Sequence, residues 1–65
     1  MRIIGTFTRC KRVAGGEVDK KHIEYAVISG MSDAEFNAKY HEMLAATDMT
    51  KYTGWKFKSI AVVDS

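Results

Sequence analysis

The sequence predicts an α+β fold of the order β-β-α-β, in which a three-stranded antiparallel sheet carries one helix on one face. Three observations predict it. Gly15-Gly16 separates two runs that are rich in β-branched and aromatic residues, as in a hairpin. A helix start signal follows at Ser32, and a third run of β type follows the helix. A right-handed connection through the helix places the third strand beside the first, which gives the strand order 2-1-3.

The length of the chain, 65 residues, indicates a single domain covering residues 1–65. A chain this short buries only about 60% of the surface that it exposes when unfolded, and its core contributes roughly 3–5 kcal/mol. Cys10 is the only cysteine, which excludes an intrachain disulfide and a thiolate zinc cluster. We therefore expect no metal and no cofactor, and stabilisation by formation of a homodimer stays open.

The first two strands are expected at Ile3 to Val13 and at Val18 to Ser29. A two-residue turn at Gly15-Gly16 would set Ile3 opposite Ile28 and Arg12 opposite Asp19. In this register one face of the hairpin shows Ile3, Gly5, Phe7, Ala26 and Ile28, and the other shows Ile4, Thr6, Thr8, Ile23, Tyr25 and Val27.

The helix is expected over Met31 to Thr47. Ser32 and Glu35 fit a capping box, in which the Ser32 hydroxyl accepts from the Glu35 N–H and the Glu35 carboxylate accepts from the Ser32 N–H. Met31 and Phe36 occupy the positions of a hydrophobic staple. The apolar stripe of the helix is formed by Phe36, Tyr40, Met43, Leu44 and Thr47.

The third strand is expected from Trp55 to Val63, and its alternation changes phase, which indicates a bulge near Ser59. Because Gly5 and Ala26 would let a helix approach closely, we expect the helix on the face that contains them. The other face then keeps exposed apolar side chains, and such surfaces usually mark sites of association.

The net charge of +2 is unevenly distributed along the chain. Residues 1–22 carry +4, residues 23–50 carry −4 and residues 51–65 carry +2. The strands are therefore basic and the helix is acidic. A dedicated nucleic-acid-binding domain would normally be more basic than this.

Candidate catalytic residues are few. Cys10 and His22 come from facing strands, and the preferred register points them to opposite faces, whereas a one-residue change in turn length would bring them together. No third residue completes a catalytic set. The spacing of Cys10, His22 and His41 matches no short metal-ligand motif. We therefore expect a protein that is not an enzyme.

Two surfaces remain as candidate binding sites. The first is a basic hairpin arm, which could follow a phosphate backbone, dock on an acidic protein surface or simply protect a sheet edge. The second is the uncovered sheet face, where aromatic side chains beside lysines could stack on single-stranded bases or anchor a protein interface. The candidate partner-binding residues are Arg9, Lys11, Arg12, Lys20, Lys21, Tyr25, Trp55, Lys56 and Lys58, with His22 beside the first group and Phe57 an alternative to Trp55 in the second.

The run Ile23-Glu24-Tyr25 leads to a capped helix, and Thr53-Gly54-Trp55-Lys56-Phe57-Lys58 follows it. This arrangement of hairpin, helix and glycine-aromatic entry to a last strand resembles small phage proteins that bind and disable host enzymes, of the type that inhibits bacterial RNA polymerase. The resemblance covers about two thirds of the chain and implies a class of protein, a small standalone module that acts by steric occupation. It assigns no binding residue.

The sequence thus favours a non-enzymatic protein-binding module, an inhibitor or regulator of a larger host complex. Binding of single-stranded nucleic acid by the same surface is the alternative. No run of residues approaches membrane-spanning length and the N-terminus offers no signal-peptide core. We therefore expect the protein in the cytoplasm, which is the host cytoplasm if a phage encodes it, and we expect no membrane partner.

Overall fold

The structure is a computed structural model that describes residues 1–64. Its elements are β1 (Arg2–Arg12), β2 (Val18–Gly30), α1 (Asp33–Ala45) and β3 (Lys56–Val63). The three strands form one antiparallel sheet in the order β2-β1-β3. This confirms the predicted α+β fold and its strand order. The helix is shorter than the expected stretch from Met31 to Thr47, and β3 begins one residue after Trp55.

The predicted register at the tip of the hairpin is wrong because the loop contains three residues. The Val13 N–H donates to the Glu17 carbonyl at 2.9 Å, and the Gly16 N–H donates to the Val13 carbonyl at 3.0 Å. Gly15 and Gly16 both have positive φ angles, +91° and +83°. Residues that carry a Cβ rarely adopt such angles. The longer loop sets Arg12 opposite Val18, where a two-residue turn would have set it opposite Asp19.

A second irregularity lies in the middle of the hairpin. Cys10 pairs with Ile23 whereas Lys11 pairs with Asp19, so Lys20, Lys21 and His22 have no partner in β1. We call these three exposed residues the basic bulge. Beyond it, Ile3 lies opposite Gly30, where Ile28 was predicted. This displacement amounts to two residues, and because side chains alternate with a period of two, each residue there keeps its predicted face.

The core lies between the helix and one face of β1 and β2. Its buried apolar side chains are Ile3, Phe7 and Ile28. The rings of Phe36 and Tyr40 lie over Phe7, with centroid distances of 6.3 and 5.0 Å. The helix therefore covers the face that was expected, which we call the first face.

Glycine permits this close packing at Gly5. A Cβ built there would lie 2.5 Å from Cζ of Phe36, well inside van der Waals contact. The Lys39 ammonium group also ties the helix to the sheet, since it donates to the Ser29 carbonyl at 2.9 Å. Four residues of the predicted stripe, Phe36, Tyr40, Met43 and Leu44, form the half-buried side of α1, and the fifth, half-buried Thr47, lies just beyond the end of the helix.

The helix begins with a modified capping box. The Ser32 hydroxyl accepts from the Glu35 N–H at 3.2 Å, as predicted. The Glu35 carboxylate accepts from the Met31 N–H at 3.2 Å, so the prediction that it bonds the Ser32 N–H is wrong. The carboxylate also lies 3.4 Å from the Lys39 ammonium group, one turn along the helix. The helix start is thus fixed from both sides of the cap.

β3 pairs with β1 across a bulge. Thr6 lies opposite Ser59 and Phe7 lies opposite Phe57, which leaves Lys58 as the extra residue. The predicted bulge near Ser59 is confirmed. Every residue of β3 is exposed, because α1 packs over β1 and β2 and leaves both faces of the third strand uncovered.

Across residues 1–64, no helix has the length and apolar character that crossing a membrane requires.

Candidate protein-binding surface

The face of the sheet opposite α1, which we call the open face, carries exposed apolar side chains. Ile23, Tyr25 and Val27 alternate along β2 with exposed fractions of 47%, 58% and 66%. The strand pairing places two further apolar side chains on the same face, half-buried Ile4 in β1 and exposed Val63 in β3. A patch of this kind is energetically unfavourable in water, and on monomeric proteins it usually marks a contact surface.

A lysine lies over the aromatic ring at the centre of the open face. The Lys58 ammonium nitrogen is 4.6 Å from the centroid of the Tyr25 ring, a cation–π geometry. It reaches this position across β1, because Lys58 is the extra residue of the β3 bulge. Lys56, opposite Thr8, adds a second exposed cation to the same face. Tyr25, Lys56 and Lys58 are therefore brought together, as the sequence suggested.

Trp55 and Phe57 belong to the other side of the sheet, which corrects the expectation that one of them joins Tyr25. The Phe57 and Phe7 rings meet edge to face on the first face, with centroids 5.8 Å apart. Trp55 is half-buried and contacts Arg9, whose cross-strand partner Glu24 also lies on the first face. The aromatic content of the open face is thus one ring, Tyr25.

Arg9 is engaged inside the molecule. Its guanidinium donates from Nε and Nη2 to Oε1 of Glu24, at 3.0 and 2.9 Å. Its Cζ lies 3.7 Å from the centroid of the Tyr52 ring and 4.3 Å from that of Trp55. Only 18% of the Arg9 side chain is exposed. A charge with this many internal partners holds the hairpin against the connection between α1 and β3, and it presents little surface to an outside molecule.

Arg12 has a similar structural role nearer the tip. Its Nε donates to the Met49 carbonyl at 3.0 Å and its Nη1 donates to the Gly16 carbonyl at 2.9 Å. Its backbone N–H also donates to the Lys51 carbonyl at 2.7 Å. The side chain therefore joins the hairpin loop to the segment that follows the helix.

The exposed lysines of the predicted basic arm are Lys11 and the two lysines of the basic bulge. The bulge is shaped partly by Asp19, whose carboxylate accepts from the Lys21 N–H at 3.1 Å. These side chains project from the outer part of the hairpin, where charge and an irregular backbone discourage a further strand from pairing. Of the predicted basic arm, this is the part that remains accessible.

A cavity of about 340 Å³ lies toward the hairpin-loop end of the sheet, next to the basic bulge. It is lined by Thr8, Arg9, Cys10, Val18, Lys20, Thr53 and Lys56. Its wall includes the half-buried thiol of Cys10. His22 is not among the lining residues, so Cys10 meets no predicted catalytic partner there. Within the described residues 1–64, no three His, Cys, Asp or Glu side chains come together as a candidate metal site.

The connection between α1 and β3 is a structural partner of β1, which the residue patterns did not predict. Lys11 forms an isolated bridge with Tyr52, the Cys10 N–H donates to Oγ1 of Thr53 at 2.9 Å, and the Thr53 N–H donates to the Cys10 carbonyl at 2.9 Å. The sequence feature that could have indicated an ordered turn here is Asp48 two residues before Thr50. In the structure, the Asp48 carboxylate accepts from the backbone N–H and the hydroxyl of Thr50. That pattern is typical of an Asx turn.

The fold and this surface define a class, a two-layer α+β protein with an uncovered apolar sheet face. No protein-family model, no curated protein sequence and no solved structure matches the chain.

Proposed function

We propose that this protein is a small non-enzymatic binding module that attaches to another protein through the open face. The observation that carries the proposal is the exposure of Ile23, Tyr25 and Val27 on a sheet face without a covering layer. Since about half of each side chain is still exposed, burial against a partner gains a part of the about 1.5–3 kcal/mol that full burial of an apolar side chain releases. The flanking lysines would form a polar rim around an apolar centre, which is the usual anatomy of a protein interface.

The proposed mode of action is steric occupation of a larger complex. The domain is small and thin, with extents of 45 × 21 × 10 Å, and its binding face is one side of a sheet. The resemblance to small phage inhibitors supports the further proposal that the partner is a host complex and that the protein acts in the cytoplasm. Because rim lysines favour an acidic partner surface, association should be faster at low salt concentration.

A charge placed in the centre of the open face tests this proposal. Wild type, Val27→Asp and Met31→Asp are immobilised in equal amounts and exposed to the same bacterial extract. Met31→Asp is the matched control, because Met31 is also exposed and apolar and a negative charge at a helix N-terminus is tolerated. We expect specific proteins to be retained by wild type and by Met31→Asp and lost with Val27→Asp.

The retained protein is then purified and titrated with the three variants. The proposal requires a saturable one-to-one complex that Val27→Asp weakens by at least about tenfold, which is about 1.4 kcal/mol. Equal binding by Val27→Asp and wild type would show that the open face is not the contact surface.

Single-stranded nucleic acid is the second candidate ligand, and the grouping of Tyr25 with Lys56 and Lys58 on the open face favours it. A stacked base would replace the Lys58 ammonium group on the Tyr25 ring. Base stacking on Tyr25 and phosphate contacts from Lys56 and Lys58 would give an affinity that falls steeply with salt. Fluorescence anisotropy with oligo(dT) and oligo(U) measures this. A loss of about 1–3 kcal/mol in Tyr25→Ala supports the candidate, and an affinity independent of salt removes it.

A further inference from the structure

The two outer edges of the sheet differ in how they are protected. The edge of β2 carries the basic bulge, and both charge and backbone irregularity there oppose pairing with another strand. The edge of β3 has no such device along its second half, where Ile60-Ala61-Val62-Val63 forms a regular apolar run paired on its inner side with β1. Its outer N–H and C=O groups face solvent. An edge of this type is a template for a further strand.

We propose that β3 pairs with β3 of a second copy of this chain, in antiparallel orientation, and that the two sheets form one continuous sheet in the order 2-1-3-3-1-2. The first reason is the charge pattern. Lys56 and Lys58 lie at the start of β3 and Asp64 follows its end. Antiparallel pairing of two copies brings the basic start of each strand to the acidic end of the other.

The second reason is the alternation of apolar side chains. Ile60 and Val62 lie on the first face and are exposed, because α1 does not reach β3. Pairing centred on Ala61 sets Ile60 opposite Val62 of the second copy, and apolar cross-strand pairs of this kind stabilise a sheet. The apolar pattern thus selects one alignment.

The third reason is that the rest of the molecule accommodates the second copy. A two-fold axis perpendicular to the sheet keeps both helices on the same side, each over its own β1 and β2. The two β3 strands then lie between the helices, where nothing in residues 1–64 covers them. Their first-face side chains Phe57, Ile60 and Val62 form a shared apolar strip. The open faces stay accessible on the other side, so this proposal is independent of the proposed function.

Solution mass as a function of concentration tests the pairing. Sedimentation equilibrium from about 1 µM to about 1 mM should show a reversible transition from the 7.3 kDa monomer to a species of twice that mass. Ile60→Lys should weaken the dimer by at least about tenfold, because a charge in the middle of an edge strand opposes pairing. Val27→Lys is the matched control, an exposed apolar residue of the open face, and it should dimerise like wild type.

A charge exchange identifies the register. Ile60→Lys and Val62→Glu should each weaken the dimer, and the double variant should recover part of the lost affinity, because Ile60 lies opposite Val62 of the second copy and the two changes place opposite charges across that pair. Circular dichroism of each variant confirms that the monomer is folded. A wild-type monomer over the whole concentration range overturns the proposal. So does a dimer that Val27→Lys disrupts and Ile60→Lys does not, since it would form through the open face.

Discussion

At the scale of single residues, Gly5 and Gly30 set how closely the helix approaches the sheet. A Cβ added at Gly30 would lie 2.7 Å from the backbone nitrogen of Phe36 and 3.0 Å from its Cα. A Cβ at Gly5 meets the end of the Phe36 ring, which can rotate or shift, whereas the first turn of a helix cannot. Gly30 is therefore the more restrictive of the two positions.

We expect Gly30→Ala to lower the free energy of unfolding by about 1–3 kcal/mol, the usual cost of overpacking, and Gly5→Ala to lower it by less. Urea denaturation followed by circular dichroism measures both. Gly54→Ala is the control, because a Cβ there meets its nearest neighbour, Cε of Met49, at an ordinary 3.6 Å. Equal stabilities of Gly30→Ala and Gly54→Ala would contradict this account of the helix–sheet contact.

The contact at Gly5 also shows what sequence alone could predict. The first-face residues follow from alternation in β1, and glycine among bulky neighbours indicates a close approach. The role of Arg9 could not be read in the same way. Its partners Tyr52 and Trp55 lie more than 40 positions away in the chain, and their segment has no strand or helix periodicity to place it.

At the scale of elements, the helix start makes the clearest electrostatic prediction. The pKa of Glu35 is lowered from its usual value of 4.5, first because its carboxylate accepts the Met31 N–H and then because Lys39 lies beside it. The folded state therefore binds this proton only at lower pH than the unfolded state does. The stability that Glu35 contributes is complete above pH 4.5 and is lost as the pH falls through the folded-state pKa.

We expect Glu35→Gln to reduce the loss of stability on acidification below pH 4.5. The pH dependence of stability that remains in this variant includes the contribution of Asp48. The pKa of Asp48 is lowered from 3.8 by hydrogen bonds from the hydroxyl and then the N–H of Thr50. Thermal unfolding of wild type and variant across the acid range measures the difference. Glu42→Gln, on the same helix, controls for removing one negative charge. Parallel pH curves for wild type and Glu35→Gln would refute the assignment.

The cap itself gives a separate prediction. Ser32→Ala removes the acceptor of the Glu35 N–H and should lower stability by about 1 kcal/mol. Ser32→Asp should retain most of it, since aspartate is an equally good cap. The two variants are compared by urea denaturation at neutral pH. A Ser32→Ala protein as stable as wild type would show that the Met31 bond to Glu35 is sufficient to fix the helix start.

The strands show where element prediction from sequence ends. Alternation assigned the faces of β1 and β2 correctly, because a displacement of two residues leaves each side chain on its face. The register was wrong for two reasons. Both two- and three-residue loops accommodate Gly15-Gly16, and the three residues of the basic bulge continue the polar composition of β2 without any turn signal. A bulge made of ordinary strand residues has no local signature.

At the scale of the whole molecule, the structure is a thin sheet with one helix that covers part of one face. Its buried apolar core consists of Ile3, Phe7 and Ile28, all beneath α1. β3 contributes hydrogen bonds to β1 and one ring, Phe57, which packs edge to face with Phe7 at the margin of this core. The molecule thus divides into a packed half, which supplies most of the stability, and an exposed half, which offers surface to other molecules.

This division predicts unequal effects for the two phenylalanines that touch each other. Phe7 is 2% exposed and contacts Phe36, Tyr40 and Phe57. Removing such a ring costs about 3–5 kcal/mol, as much as a domain of this size has in total. We therefore expect Phe7→Ala to be unfolded at 25 °C. Its NMR spectrum should show poorly dispersed amide proton shifts, and heating should produce no cooperative transition.

Phe57→Ala removes a ring that is 59% exposed, so it should remain folded and unfold cooperatively with a modest loss of stability. Measurements at a concentration where wild type is monomeric separate this effect from association. The comparison is sensitive because both changes delete the same side chain from paired positions on one face of the sheet. Equal stabilities of Phe7→Ala and Phe57→Ala would contradict the division of the molecule into a packed half under α1 and an exposed half at β3.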